Sequence, residues 1–520
     1  MLRENKIWLA NNTADEPVYL EPKMANRHGL ITGATGTGKT VTIKVMAESF
    51  SDMGVPVFMA DVKGDIAGMM NPGIDSEDMQ ARIDRFGLAE YGFEYREYPV
   101  TLWDIYGQKG IQLRTTISEM GPLLLSRILG LNELQSDILS VVFKIADDKQ
   151  LLLVDTKDLK SLLSYVDEHS KDFAADYGKI SSASIGVITR SIVTLETAGG
   201  DTFFGEPALN ILDWLTQDNG KGMINILDSS SLINSSKLYS TFLLWMLSEL
   251  FETLPEVGDL DKPKMIFVFD EAHLLFADTS KILLEKIEQV VKLIRSKGVG
   301  VYFCTQNPDD IPASIIAQLN NKVQHGLRAF TPADQKTVRA AADYFRENPD
   351  FDTYETILNL GTGEAVISFL GEDGIPGVVQ KASVLPPRTL MGAVSDADRD
   401  AKIKGSILYS KYANATDPDS AYEFLQRKGI EDAEAAAAKA ERAAADKAAE
   451  KEAKEEAKAA EMEEAQRRKA ANQVGNTMAG TIGRQVGKTV GQAFGPFGKT
   501  LGGNVGAQLA RGIFGTFLKK

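Results

Sequence analysis

Cysteine is almost missing: Cys304 stands alone in 520 residues, so no intrachain disulfide can form and a reducing compartment fits. Histidine is nearly as rare. His28, His169, His273 and His325 are scattered without metal-ligand spacing, which argues against a histidine- or cysteine-based metal centre. No stretch reaches the roughly 18 consecutive apolar residues that a conventional transmembrane helix needs. No apolar signal core follows Met1-Leu2-Arg3-Glu4-Asn5-Lys6. Positive charge is also short: 57 lysines and arginines against 72 acids leave a net charge of −15. Indiscriminate nucleic-acid binding over the whole surface is thereby excluded, while a local basic channel is not. What remains, 43% hydrophobic and 25% charged, suffices for a large core and more than one domain.

The stretch that organises the chain is Gly33-Ala34-Thr35-Gly36-Thr37-Gly38-Lys39-Thr40. It follows the apolar run Gly29-Leu30-Ile31-Thr32 and precedes Val41–Ala47, whose apolar residues recur at helical spacing. Strand, glycine-rich turn and helix form the setting of a phosphate-binding loop. Glycines let main-chain N–H groups close around an anion, and the helix turns its positive end toward the same point. Lys39 offers a charge to the β- and γ-phosphates of a nucleotide, and Thr40 a hydroxyl to Mg²⁺. The phosphate-site residues are therefore Gly33, Thr35, Gly36, Thr37, Gly38, Lys39 and Thr40, for ATP with Mg²⁺.

Buried strands follow at intervals. Val55–Asp61 ends in Asp61-Val62-Lys63-Gly64-Asp65, a polar cluster where open α/β sheets bind ligands. Asp61 or Asp65 either lies near the nucleotide or belongs to a solvated turn. Lys264–Phe269 runs into Asp270-Glu271-Ala272-His273, the Walker B pattern. There Asp270 would hold the metal and Glu271 would orient and polarise the attacking water. Gly298–Thr305 closes with Gln306, placed to sense the γ-phosphate. Arg295, at the end of the helix Lys281–Lys297, is a candidate arginine finger acting on a neighbouring subunit, and Arg328 is a weaker one. At the start, Ile7–Ala10 and Pro17–Leu20 suit two edge strands with a turn at Asn11-Asn12, and Gly361–Phe369 suits a turn and an edge hairpin strand.

Composition divides the chain. Residues 1–109 carry the phosphate loop, 110–220 read as a mainly helical insertion, and 221–390 hold the Walker B and sensor strands. Pro386-Pro387 closes the sheet domain, and a linker and helix occupy 391–430. Residues 431–470 are rich in alanine, glutamate, lysine and arginine, with no sustained apolar seam, and suit a single solvated helix. Residues 471–520 are basic, with glycines four apart at Gly483, Gly487, Gly491 and Gly495. That tail is open to three readings: a self-associating glycine-zipper pair, a membrane-surface anchor, or a disordered tail on DNA.

Together the phosphate loop, the Asp61–Asp65 turn, Phe267-Val268-Phe269-Asp270-Glu271-Ala272-His273, the Arg295–Gly300 helix exit and Thr305-Gln306-Asn307-Pro308 resemble the HerA/FtsK class of P-loop ATPases, over about residues 20–390. The likeness is nearest to the bacterial HerA-like proteins of unassigned role. It implies a RecA-like α/β sheet flanked by helices, with a helical insertion and an extended helical tail. It implies a hexameric ring and a double-stranded DNA substrate. The expected location is cytoplasmic, or peripheral to the inner face of the membrane where residues 472–520 act as the anchor. By position the likeness matches Lys39 and Thr40 to the phosphate loop, Asp270 and Glu271 to the Walker B acids, Gln306 to the sensor and Arg295 to the inter-subunit arginine. HerA-type motors also carry an N-terminal β-barrel, for which the residues ahead of the loop leave no room. The reading is thus an Mg²⁺-dependent ATP hydrolase working as a DNA translocase. Its alternative is an ATP-gated scaffold with a partner- or membrane-binding tail and no nucleic-acid substrate.

Overall fold

The computed structural model describes residues 1–232, 236–276 and 281–427. The expected helix at 431–470 and basic tail at 471–520 lie outside the described residues. Two compact units are present. Among the described residues one comprises Met1–Leu113 and Ala208–Asn414, the other Arg114–Pro207 with residues 415–427.

The first unit is built on a 13-stranded sheet. Its strands and the short hairpin beside it are, in chain order, β1 (Leu2–Arg3), β2 (Lys6–Asn12), β3 (Pro17–Leu20), β4 (Gly29–Thr32), β5 (Val57–Asp61), β6 (Val100–Asp104), β7 (Ile111–Gln112), β8 (Gln217–Asp218), β9 (Lys221–Gly222), β10 (Ile224–Asp228), β11 (Met265–Phe269), β12 (Val299–Thr305), β13 (Asn321–His325), β14 (Glu364–Ser368) and β15 (Gln380–Val384). The spatial order is β1-β2-β15-β14-β13-β4-β12-β11-β5-β10-β6-β7, with β3 on β2; β8 and β9 pair apart. From β13 to β7 neighbouring strands are parallel; from β13 to β1 they are antiparallel. Strands β4, β5, β6, β10, β11 and β12 are buried at every position. That accounts for their unbroken apolar runs, since a parallel sheet is covered on both faces.

Two elements differ from the sequence expectation. The first hairpin turns at residues 13–16 rather than at Asn11-Asn12, because Asn12 N–H bonds Glu16 O at 2.8 Å and Asp15 takes a left-handed backbone, φ 62°. Of the strands expected at an edge, β3 pairs with β2 alone, whereas two are interior: β2 pairs with β1, β3 and β15, and β14 sits between β13 and β15. β15, whose run Gln380-Lys381-Ala382-Ser383-Val384 has a polar first half, closes the join between them.

Helices α1 (Lys39–Asp52) and α2 (Glu77–Arg85) belong to this unit. Five helices, α3 (Ile117–Leu129), α4 (Glu133–Asp148), α5 (Thr156–Glu168), α6 (Ser170–Tyr177) and α7 (Ser182–Thr197), form the second unit with its own apolar core of Leu139, Val142, Leu159, Leu162, Val166 and Ile188. The chain then returns to the first unit with α8 (Ser236–Thr253), α9 (His273–Phe276), α10 (Lys281–Ile294), α11 (Ala313–Ile316), α12 (Pro332–Asp343), α13 (Thr353–Asn359), α14 (Asp396–Gly405) and α15 (Tyr409–Tyr412). Helix α1 is fixed at its far end by Glu48. Its buried carboxylate accepts from Arg388 N–H, Thr389 N–H and the Thr389 hydroxyl at 2.7–3.1 Å.

Under the sheet, Phe58 of β5 is fully buried, its ring stacked 4.2 Å from Phe267 and 4.6 Å from Trp214. Removing a ring so enclosed leaves a cavity that neighbours in a regular sheet cannot fill. Phe58→Ala is expected to destabilise the first unit by about 3–5 kcal/mol. All four tryptophans, Trp8, Trp103, Trp214 and Trp245, lie in this unit, so urea denaturation followed by tryptophan fluorescence reads it directly. A loss under about 1 kcal/mol would contradict this packing.

Candidate active site

The register of three neighbouring parallel strands brings the site together. Thr32 at the end of β4 lies opposite Thr305 at the end of β12, and Phe269 at the end of β11 lies opposite Phe303 of β12. The three chains therefore leave the sheet at its carboxyl end, β4 level with β12 and β11 two residues earlier. Gly33–Thr40 leaves β4, Gln306 follows β12, and Asp270-Glu271 follow β11.

The loop from β4 winds through left-handed backbone at Gly33 (φ 148°), Gly36 (φ 78°) and Gly38 (φ 118°). A Cβ on Gly33 would stand 2.5 Å from the Cβ of His325, so a side chain fails there on space as well as on φ. Outside bonds hold the loop in shape. Ala34 N–H donates to Gly326 O at 3.0 Å, Gly363 N–H to Thr37 O at 2.9 Å, and the Thr37 hydroxyl to Ala34 O at 2.7 Å. Behind it His325 is fully buried, its Nε2 2.8 Å from the Thr42 hydroxyl of α1 and its Nδ1 2.9 Å from Glu364 O. A carbonyl can only accept, so Nδ1 carries a proton. Burial pushes the His325 pKa down to about 4.

Lys39 lies in the mouth of the loop, its Nζ donating to Gly33 O at 2.5 Å and Ala34 O at 3.1 Å. Burial lowers its pKa from the ordinary lysine value. Cys304, Lys63, Glu271 and Asp270 all act electrostatically on it, which places loop and acids at one site. Thr40 follows directly at the start of α1.

Asp270 is buried. Burial, then the neighbouring Glu271 charge, push its pKa up to about 6. Its carboxylate accepts from Glu271 N–H at 3.0 Å and from the Cys304 thiol. Among the described residues these hydrogen-bond donors are uncharged, and Lys63 and Lys39 act on the acid only from beyond ion-pair distance. Cys304, one position past the Phe303–Phe269 pair, is thereby placed level with Asp270. Burial and Asp270 raise its thiol well above the ordinary value, so it is a thiol and not a nucleophile.

Glu271 takes a left-handed backbone, φ 48°, a strained conformation of the kind that collects at functional sites. Its carboxylate has three partners: Lys63 Nζ at 2.9 Å, Gln306 Nε2 at 3.3 and 3.4 Å, and His273 Nδ1 at 3.4 Å. Burial pushes the Glu271 pKa up, but Lys63 and the other partners more than offset this, and it lies below the ordinary value.

Lys39, Asp270, Glu271 and Gln306 are thus brought together. Arg295 is not. It follows α10 and precedes β12, at the amino end of the sheet, whereas Gln306 is at the carboxyl end of the same strand. Seven residues of strand, roughly 20 Å, separate the ends. Arg295 instead feels Arg27 and Asp259, and burial lowers its pKa. Arg328 donates to Leu358 O at 3.2 Å. Asp61 does structural duty: it is buried and accepts from Gly64, Ile66 and Ala67 N–H at 2.7, 3.0 and 3.1 Å. Lys63, His273, Cys304 and His325 are site residues for which the sequence reading assigned no role. The apolar residues around Cys304 and the distance of His325 from any motif gave no signal; Lys63 lay inside a cluster already singled out.

The family model for "Helicase HerA-like C-terminal" matches residues 6–520. A protein described as DNA double-strand break repair helicase HerA from Sulfurisphaera tokodaii is 24% identical over 366 residues, 68% of this chain and 64% of that protein. One of the same description from Sulfolobus acidocaldarius is 22% identical over 401 residues, 75% of this chain and 70% of that protein. The solved structure of VirB4 of Thermoanaerobacter pseudethanolicus superposes with a TM-score of 0.46 at 15% identity, covering 74% of this chain and 97% of that one.

The two deeply buried histidines set a pH response. His28, whose Nδ1 accepts from Val301 N–H at 3.0 Å, also has its pKa pushed down to about 4 by burial. Between pH 4 and about 6.5 the unfolded chain binds protons at these rings that the folded chain does not. Stability due to keeping them neutral is therefore complete above about pH 6.5 and is lost as pH falls toward 4, on the order of 3 kcal/mol for each ring. His325→Gln is expected to flatten the fall of the denaturation midpoint across that window. Superimposable pH profiles for the two proteins would contradict the neutral, buried state of His325.

Proposed function

The chain belongs to the helicase HerA-like C-terminal family, a family of P-loop ATPases, and from that premise we propose that it hydrolyses ATP with Mg²⁺, assembles as a ring and translocates double-stranded DNA. The observation that carries the reading is the convergence of Lys39, Asp270, Glu271 and Gln306 at the carboxyl ends of β4, β12 and β11.

The loop N–H groups and Lys39 grip the β- and γ-phosphates. A loop closed at its back by Gly326, Gly363 and His325 holds these donors in place before any ligand arrives, which is what electrostatic preorganisation requires. The donor set suits Mg²⁺: the Thr40 hydroxyl and the Asp270 carboxylate are hard oxygens, and the buried Asp270 has only uncharged hydrogen-bond donors on it. Bound there, the metal would neutralise phosphate charge. Glu271, with its pKa lowered, accepts a hydrogen bond from the attacking water and orients it. Gln306, in contact with Glu271, reports the terminal phosphate to that acid.

Arg295 lies at the far end of the sheet from the site of its own chain, so any action on a phosphate is on that of a neighbouring copy. This supports a ring in which each site is completed by the next subunit, where an arginine finger contributes ~10³–10⁵ in rate. DNA as the substrate rests on the relatives, both described as DNA double-strand break repair helicases. The chain spans 64% of the first of them, so substrate and partners are carried over as proposals. Among the described residues no helix is long and apolar enough to cross a membrane.

The test is steady-state ATP hydrolysis beside ATP binding. Lys39→Ala is expected to lose binding. Glu271→Gln is expected to bind ATP and to turn over at least ~10²-fold more slowly. Duplex DNA is expected to stimulate the wild type, less so as salt rises, and solution mass is expected to rise with ATP. Wild-type turnover by Glu271→Gln would refute the assignment of the acid. A rate indifferent to DNA, with assembly lost when ATP is withdrawn, would replace the motor with the ATP-gated scaffold.

A further inference from the structure

We infer that Lys63 serves two anions in turn: the carboxylate of Glu271, which it holds in this structure, and the γ-phosphate of a bound nucleoside triphosphate, to which it transfers and so frees Glu271 to orient water. The inference rests on the ATPase reading above and adds to it a phosphate-reading residue outside the phosphate loop and the Walker B strand.

The placement of Lys63 fits this exchange. It lies two residues past the end of β5, and β5 is paired directly with β11, whose end carries Glu271. Its main chain is fixed, because the Asp61 carboxylate holds the turn through Gly64, Ile66 and Ala67. Only the side chain can move, and it has room. The Lys63 side chain is 42% exposed while that of Glu271 is 6% exposed. Of the two partners the cation is therefore the one able to leave. Its departure does not strand the acid, because Gln306 and His273 remain on the same carboxylate.

Electrostatics supply the drive. Lys63 and Lys39 repel each other, and both feel Asp270 and Glu271. Two ammonium groups that repel each other and act on the same pair of acids are stabilised most by an anion of more than one charge. A terminal phosphate in the mouth of the loop satisfies both lysines, whereas a carboxylate satisfies Lys63 alone. The competing account is an ordinary ion pair that neutralises a buried acid. It predicts no discrimination between nucleotides.

The two accounts separate in binding measurements with Mg²⁺, using ADP and a non-hydrolysable ATP analogue, on four proteins: wild type, Lys63→Met, Glu271→Gln and the double variant. Loss of Lys63 is expected to weaken the triphosphate analogue about tenfold and to leave ADP within about twofold, as for one charge-assisted contact to the terminal phosphate. Glu271→Gln is expected to tighten the analogue several-fold, since Lys63 no longer has to leave a carboxylate, and this gain is expected to vanish in the double variant. Lys63→Arg, which keeps the charge, is expected to retain most of the preference for the analogue. Equal effects of Lys63→Met on both nucleotides, no effect on either, or a Glu271→Gln gain that persists without Lys63 would each overturn the inference. Lys39→Ala separates this from the broader reading. If wild type binds neither nucleotide, or binds them without need of Lys39, the phosphate-loop reading falls and the inference with it. If binding needs Lys39 and is indifferent to Lys63, the inference alone falls.

Discussion

The register between β4, β12 and β11 is the constraint on which the rest depends. Thr32 opposite Thr305 and Phe269 opposite Phe303 bring three chain exits to one end of the sheet, within two residues of one another. A slip of one residue in either pairing would turn each side chain of the moved strand to the other face of the sheet. Such a slip is prevented by burial on both faces, with every residue of β4, β11 and β12 inside. Hydrophobic burial thus fixes where the charged residues go. Asp270 ends up beside Cys304, and the acid pair beside the loop that carries Lys39.

A second layer of polar contacts keeps the loop in a shape its own sequence does not dictate. His325 bridges the first turn of α1 and the start of β14 as a neutral ring. Gly326 and Gly363 each bond the loop's main chain. Thr32 and Gln324, side by side on β4 and β13, share a short hydrogen bond just beneath. These partners come from chain some 290–330 residues beyond the loop, so a local motif is held by contacts remote in sequence.

That distance explains what could be read from the sequence. The loop was legible because its chemistry is local: glycines, a lysine and a threonine in fixed spacing between a strand and a helix. The Walker B acids were legible because a buried parallel strand is a plain apolar run, and its polar end stands out. Gln306 was legible for the same reason. His325 was not, because nothing near it in sequence shows that it packs behind Gly33. Lys63 belonged to a cluster whose aspartates drew attention, yet Asp61 shapes the turn and it is the lysine that reaches Glu271. The edge assignments of β2 and β14 failed because strand pairing is non-local. The sequence of β15, half polar, gave little warning that it joins them.

Membership of the helicase HerA-like C-terminal family and the geometry of the site lead to the same chemistry by separate routes. The most direct measurement is a structure of the full chain with Mg²⁺ and a non-hydrolysable ATP analogue. The account predicts the triphosphate inside the Gly33–Thr40 loop, Lys39 on its terminal phosphates, the metal between Thr40 and Asp270, and Glu271 facing the γ-phosphate. Nucleotide bound elsewhere, or bound in the loop with Asp270 and Glu271 turned away from its phosphates, would contradict it.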